Sequence, residues 1–147
     1  MTEAAPTTIS VTRRFRQSAE QVFDAWLDPA IASRFLFATA DGEMRVVDID
    51  ARVAGSYCII ERRGEEDAEH LGEYLEIERP TRLVFTFGID RNDPSRDRIS
   101  LALTPLADGC ELLLEHAMRP AWAHYASATR DGWNMILGHL ARALDTP

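Results

Sequence analysis

The chain has 147 residues, of which 46% are apolar and 27% are charged. This size and composition are typical of one globular domain with a single hydrophobic core, and they exclude disordered, collagen-like and coiled-coil chains. The formal net charge of −8 argues against a protein that binds nucleic acid or anionic membranes, since both need a clustered positive field. All sixteen basic residues are arginine, which we interpret as GC-rich bacterial coding.

No segment is expected to direct the chain out of the cytoplasm. Residues 1–10 lack the basic start and apolar run of a signal peptide, and no stretch reaches the ~20 apolar residues of a membrane span. Cys58 and Cys110 are far apart and have no partner at metal-ligand spacing. We therefore predict a cytoplasmic protein with reduced thiols, in which residues 7–145 form one domain after a flexible N-terminus at residues 1–6.

The first elements are predicted to be a strand and two short helices. Residues 7–16 alternate between apolar and polar side chains, as a half-buried strand does. Ser18 and Gln21 have the spacing of a capping box, which begins a helix that ends at Asp28. Asp28 and Pro29 are suited to cap and open a second helix through Phe35.

Six further strands are predicted because the apolar pattern from residue 43 onward has period two. They cover residues 45–51, 56–62, 70–78 and 82–89, and two segments marked by Ile99, Leu101 and Leu103 and by Leu112, Leu114 and His116. Turn residues predict a polar hairpin loop at residues 63–68 and further loops at 90–95 and 107–109. Together the seven strands form an antiparallel meander.

The last segment, residues 120–145, has the period of a helix. Its apolar stripe consists of Thr129, Trp133, Ile136, Leu137, Leu140 and Leu144. A helix of about 30–36 Å is long enough to cover the apolar face of the sheet. The predicted fold class is α+β, with a curved seven-stranded antiparallel sheet wrapped around a long C-terminal helix and a space between the two.

Several motifs, taken in order, resemble a known family. They are Val22-Phe23-Asp24-Ala25-Trp26 with Asp28-Pro29, residues 52–57, residues 72–77 with 82–86, and Gly132-Trp133-Asn134 with Leu137 and Leu140. They are similar to the homologues of the activator of the ninety-kilodalton heat-shock chaperone ATPase, a family of the START-like (SRPBCC) superfamily. The resemblance covers nearly the whole chain and implies a helix-grip fold. Eukaryotic activators have a second, N-terminal domain that does not fit before Thr7, so chaperone activation is not expected to carry over.

The space between sheet and helix is a candidate ligand cavity, and inward parity indicates its lining. The candidates are Phe35, Tyr57, Ile59, Tyr74, Phe85, Phe87, Leu101, His116, Trp133 and Leu137. For each aromatic residue the alternative is that it only fills the core, as aromatic stripes commonly do. Trp133 could form one wall of the cavity and present its indole N–H to a ligand.

His116 is the one candidate catalytic residue, because alternation points its imidazole toward an apolar interior. It would act as a general base or polar anchor, or it would be a core histidine satisfied by a backbone carbonyl or a tyrosine hydroxyl. We favour the core histidine. No sequence neighbour supplies an orienting carboxylate, although Glu61 or Glu73 could approach from other strands.

Motifs of metal and nucleotide sites are missing from the sequence. There is no His-Glu-x-x-His, Cys-x-x-Cys, Gly-x-Ser-x-Gly or Gly-x-Gly-x-x-Gly, and the histidines at 116, 124 and 139 do not have metal-ligand spacing. We therefore predict no metal and no cofactor. The acidic residues 65–67 are expected at a solvated loop tip. Trp122 and Tyr125 would either gate the mouth of the pocket or pack on the rim of the sheet.

Three functions are consistent with these features. The leading hypothesis is binding of a small hydrophobic molecule, lipid-like, aromatic or polyketide-like, in the cavity. The first alternative is a cyclase-like or hydratase-like enzyme with His116 as base and a carboxylate or Tyr74 as polarising group, which is less favoured because few polar residues point inward. The second is a protein-interaction module in which the convex face or Arg13-Arg14 docks on a chaperone. The sequence allows a homodimer and leaves the ligand unidentified.

Overall fold

The structure, a computed structural model, describes residues 7–39 and 41–145. The N-terminus expected to be flexible, residues 1–6, lies outside them. The elements are β1 (Thr7–Phe15), α1 (Ala19–Ala25), α2 (Pro29–Ala32), β2 (Glu43–Ile49), β3 (Ser56–Arg63), β4 (Glu66–Glu78), β5 (Arg82–Phe87), β6 (Asp97–Leu106), β7 (Gly109–Met118), a 3₁₀ helix (Pro120–Tyr125) and α3 (Ala126–Asp145). This order confirms the predicted α+β helix-grip fold.

The seven strands form one sheet in the order β1-β7-β6-β5-β4-β3-β2. All neighbours are antiparallel, and β2 to β7 pair in chain order. β1 and β2 are consecutive in the chain and yet form the two edges of the sheet. The segment with α1 and α2 therefore crosses from one edge to the other.

The two short helices begin where their capping residues predict. The Gln21 amide N–H donates to Ser18 Oγ over 3.2 Å, and the Ser18 N–H donates to the Gln21 side chain over 3.1 Å, which completes the capping box. The Ala30 N–H donates to Asp28 Oδ1 over 3.0 Å. α1 ends at Ala25 and α2 at Ala32, about one turn before their predicted ends, because sequence patterns locate helix ends poorly.

The hairpin loop predicted at residues 63–68 is wrong. β3 continues to Arg63 and β4 begins at Glu66, so that the turn is Gly64-Glu65. Gly64 has a φ of +64°, which a tight hairpin turn requires and glycine adopts without strain. Asp67 lies on β4 beside Arg62. The start of β4 does not show the apolar alternation of a strand, because this end of the hairpin has polar side chains on both faces.

The core lies between the concave face of the sheet and α3, whose buried residues are Trp133, Ile136, Leu137, Leu140 and Ala143. α3 packs most closely on β1. Burial of one such leucine contributes about 1.5–3 kcal/mol relative to exposure. Residues 120–125, predicted as the start of the helix, form a 3₁₀ helix instead.

Candidate functional site

A pocket of about 400 Å³ opens beneath the first half of α3, which is within the usual range for small-molecule sites. Aromatic side chains form much of its wall, namely Phe37, Phe87, Trp122, Tyr125 and Trp133. Aliphatic and small residues complete the apolar lining, namely Ile89, Met118, Ala128, Gly132, Met135 and Ile136. The polar residues in the wall are Thr39, Arg63, His70, Asp97, His116, Arg119 and Thr129. The pocket is therefore mainly apolar, with polar side chains in two groups.

Three of the ten residues expected to line a cavity line this pocket: Phe87, His116 and Trp133. The other seven are buried away from it, namely Phe35, Tyr57, Ile59, Tyr74, Phe85, Leu101 and Leu137. Strand parity predicts which side chains point inward. It does not show where the helix stands far enough from the sheet to leave space.

Tyr57 and Tyr74 lie in the packed part of the core, beneath Trp26. The Tyr57 hydroxyl donates to the Thr86 carbonyl over 2.7 Å. Burial raises the pKa of both tyrosines, which keeps the hydroxyls protonated. The polarising role considered for Tyr74 therefore has no geometric support, since Tyr74 does not line the pocket of His116.

A buried chain of hydrogen bonds crosses the pocket wall. The Trp133 indole Nε1–H donates to His116 Nδ1 over 2.9 Å, and His116 Nε2 lies 2.8 Å from Asp97 Oδ2. An indole can only donate, so His116 Nδ1 accepts and Nε2 carries the ring proton. His116 is thus held in one neutral tautomer, satisfied by a tryptophan and a carboxylate rather than by the carbonyl or tyrosine we expected.

Asp97 is the carboxylate that orients His116, rather than Glu61 or Glu73, the two residues that the sequence allowed to approach it. Both the backbone N–H and Nε of Arg119 donate to Asp97 Oδ1, over 3.0 and 2.7 Å. Burial alone would raise the pKa of Asp97, but the hydrogen bonds from His116 and Arg119 outweigh it and lower the pKa. Asp97 stands two residues before Ile99, so the alternation of β6 could have identified it as inward.

A second buried carboxylate holds the segment that closes one end of the pocket. Glu61 accepts from the Thr39 N–H over 2.7 Å, from Thr39 Oγ1 over 3.0 Å and from Arg63 Nε over 2.6 Å. Arg63 Nη2 also donates to the Phe37 carbonyl over 3.1 Å. Burial would raise the pKa of Glu61, but the bonds from Arg63 and Thr39 lower it. Glu61 thus anchors residues 37–39, and Glu73 is exposed.

His70, which the sequence reading did not single out, lies in the same end of the pocket. Its ring stacks on Phe37 with a centroid distance of 4.3 Å and an interplanar angle of 3°. Its Nδ1 lies 3.2 Å from the Ile59 carbonyl. Burial lowers the pKa of His70 to about 4. The inward alternation of His70, Gly72 and Tyr74 on β4 was the signal that could have found it.

The mouth of the pocket carries exposed apolar side chains. Trp122 and Tyr125 line it, with ring centroids 5.5 Å apart. Ile89, Tyr125 and Met135 are 48%, 48% and 43% exposed.

Within residues 7–39 and 41–145, no group of histidine, cysteine and acidic side chains could hold a metal ion. In the same part of the chain, every helix is too short or too polar to cross a membrane.

Residues 16–145 match the sequence model of a family described as Activator of Hsp90 ATPase homolog 1-like protein. The crystal structure of protein CV1439 from Chromobacterium violaceum is 26% identical, with a TM-score of 0.82 over 93% of this chain and 96% of that chain. The solution structure of the AHSA1-like protein from Aeromonas hydrophila is 22% identical, with a TM-score of 0.82 over 95% of this chain and 92% of that chain. No protein of curated function matches.

Proposed function

The chain belongs to the family of Activator of Hsp90 ATPase homolog 1-like proteins, and from its pocket we propose that it binds one small, largely apolar molecule between the sheet and α3. The observation that supports this most directly is the cavity of about 400 Å³ with aromatic and aliphatic walls. Such a pocket removes apolar ligand surface from water, which is the main source of affinity for small molecules.

The polar groups of the wall favour binding over proton transfer. His116 has no free lone pair, because Nδ1 accepts from Trp133 and Nε2 donates to Asp97. His70 has a pKa of about 4, which makes it a weak base at neutral pH. Neither of the two histidines in the described wall therefore offers the base that the cyclase-like or hydratase-like alternative needs.

The interaction-module alternative has less support than the pocket. In β1, Arg14 Nε forms an exposed ion pair with Glu111 over 3.1 Å. This pairing weakens the positive field that would attract an acidic partner.

Titration with the neutral probe N-phenyl-1-naphthylamine tests the proposal. We expect saturable binding of one probe per chain, with a rise in probe fluorescence and quenching of tryptophan emission. Gly132 lines the pocket, and a Cβ added there meets no atom within 4 Å. Gly132→Leu should therefore fill the pocket and weaken binding by about tenfold or more, a loss of at least about 1.4 kcal/mol.

Gly138→Leu is the matched control. It is also in α3, also has open space around its Cβ and does not line the pocket. Both variants remove a helical glycine, so both should be as stable as the parent protein or more so. Equal probe affinity in the two variants, or no saturable binding by the parent protein, would contradict the proposed function.

A further inference from the structure

Resting on the proposed function, we propose that His70 selects the ligand: its Nε2 accepts a hydrogen bond from a hydroxyl group on an aromatic ligand at the Phe37 end of the pocket. The ligand class is thus a neutral aromatic alcohol, and His70 is the residue that determines this specificity.

The proton position follows from the partner of Nδ1. A backbone carbonyl only accepts, so the contact of 3.2 Å between His70 Nδ1 and the Ile59 carbonyl places the proton on Nδ1. Nε2 then carries a lone pair. Burial, assisted by the positive charge of Arg63, keeps the ring neutral. A neutral histidine with Nδ1 bound to β3 offers the ligand an acceptor and no donor.

Nε2 has no donor among the residues that the structure describes. Among the described residues, Trp26 Nε1 is the one side-chain nitrogen or oxygen that is completely buried and has no hydrogen-bond partner. Because His70 Nε2 also has no partner there, it is not completely buried. His70 lines the pocket. Nε2 therefore reaches the pocket space, where a ligand can supply the donor that the protein does not.

The other buried acceptors of the wall already have donors. His116 Nδ1 accepts from Trp133, and the Asp97 oxygens accept from His116 and Arg119. Glu61 does not itself line the pocket, and both of its oxygens accept from Thr39 or Arg63. These groups have little to gain from a ligand hydroxyl, whereas Nε2, which faces the pocket without a donor among the described residues, gains a new hydrogen bond.

The surroundings of His70 favour an aromatic ligand. Phe37 lies between the rings of His70, Phe87 and Trp133, with centroid distances of 4.3, 5.3 and 5.7 Å. Phe37 has a φ of +59°, a conformation that a bulky residue adopts only where its surroundings enforce it. Arg63 donates to the Phe37 carbonyl and so holds the backbone of this residue in place. A planar ligand beside these rings gains offset or edge-on contacts.

Isothermal titration calorimetry with 2-naphthol and 2-methoxynaphthalene tests the inference. The two probes share a ring system, but only 2-naphthol has a hydrogen-bond donor. We expect the parent protein to bind 2-naphthol about five- to tenfold more tightly, as one added hydrogen bond provides. Burial alone would favour the ether, because it carries one more methyl group.

His70→Phe keeps an aromatic ring against Phe37 and removes the acceptor, so it should bind both probes with affinities within about twofold. His139→Phe is the matched control, since His139 does not line the pocket, and it should keep the preference for 2-naphthol. Equal binding of the probes by the parent protein overturns the inference but leaves the proposed function standing. A preference that survives in His70→Phe also overturns it. If neither probe binds, the proposed function fails and this inference fails with it.

A measurement on the parent protein covers the case in which His70→Phe does not fold. Long-range ¹H–¹⁵N spectra of the histidine rings should show His70 as the Nδ1–H tautomer. Its Nε2 resonance should move on addition of 2-naphthol and stay unchanged with the ether. A resonance that responds equally to both probes, or to neither at saturation, overturns the inference.

Discussion

The indole Nε1–H of Trp133 donates to Nδ1 of His116 over 2.9 Å, which joins α3 to β7 inside the wall of the pocket. Both side chains are almost fully buried, at 3% and 2% exposure. Both residues line the pocket, so the bond ties the helix to the sheet within the pocket wall. Trp133 is thus both a core residue and a wall of the pocket, roles that the sequence presented as alternatives.

Trp133→Phe should lower the free energy of unfolding by about 1–3 kcal/mol, because it leaves His116 Nδ1 buried without its donor. Urea unfolding measures the change. Trp122→Phe is the control, since Trp122 is only half-buried and forms no such bond among the described residues. A loss no larger than that of the control would show that the bond to His116 contributes little.

Asp97→Asn should destabilise the protein by about 2–4 kcal/mol at pH 7, since it removes the charged partner of Arg119 and weakens the bond to His116. The pKa of Asp97 is below its usual value of 3.8 in the folded protein. The carboxylate therefore contributes stability above about pH 4, which is lost as the pH falls further, through the folded pKa.

Urea unfolding of Asp97→Asn and the parent protein between about pH 7 and pH 3 checks both statements. The difference between the two proteins should be constant above about pH 5 and shrink at the acidic end. A constant difference over the whole range would contradict the lowered pKa.

His70 should make the protein less stable as the pH falls from about 6.5 to about 4. Its folded pKa is about 4 and its ordinary value is 6.5, so in this range the unfolded chain binds a proton that the folded protein does not. The stabilisation is complete above about pH 6.5 and amounts to about 3 kcal/mol by the size of the shift. Urea unfolding at several pH values should show that the free energy of unfolding depends less steeply on pH in His70→Phe than in the parent protein. An equal pH dependence in the two proteins would contradict the lowered pKa of His70.

Gly42→Ala should destabilise the end of the pocket. A Cβ at this position would lie 2.2 Å from the Glu61 carboxylate, which is held by Thr39 and Arg63. The carboxylate would have to move, at a cost of about 1–3 kcal/mol in weakened hydrogen bonds. Urea unfolding should show a lower free energy of unfolding, and probe titration should show a weaker affinity for the probe.

Gly138→Ala serves as the control for Gly42→Ala, because its Cβ meets no atom within 4 Å in α3. It should stabilise the protein by about 0.5–1 kcal/mol through helix propensity. If Gly42→Ala is as stable as the parent protein, residues 37–39 do not depend on the position of Glu61.

The sequence by itself determined the order of the elements, the start of α1 at the Ser18 capping box and the inward direction of His116. These features depend on patterns within a few residues: period two, period 3.6 and the spacing of a cap. Where polar residues covered both faces, as at Glu66 and Asp67, the same patterns missed part of a strand.

Only the tertiary structure decided which residues form the site. Asp97 and His116 are 19 residues apart in the chain, and Thr39 and Glu61 are 22 apart, so strand register and the crossing of α1 and α2 bring them together. The pocket lies between the first half of α3 and the sheet, where Trp133 lines it and donates to His116. Local periodicity indicates that His70 points inward, but it contains no information about the space left beneath α3, so only the folded structure shows that His70 lines the pocket.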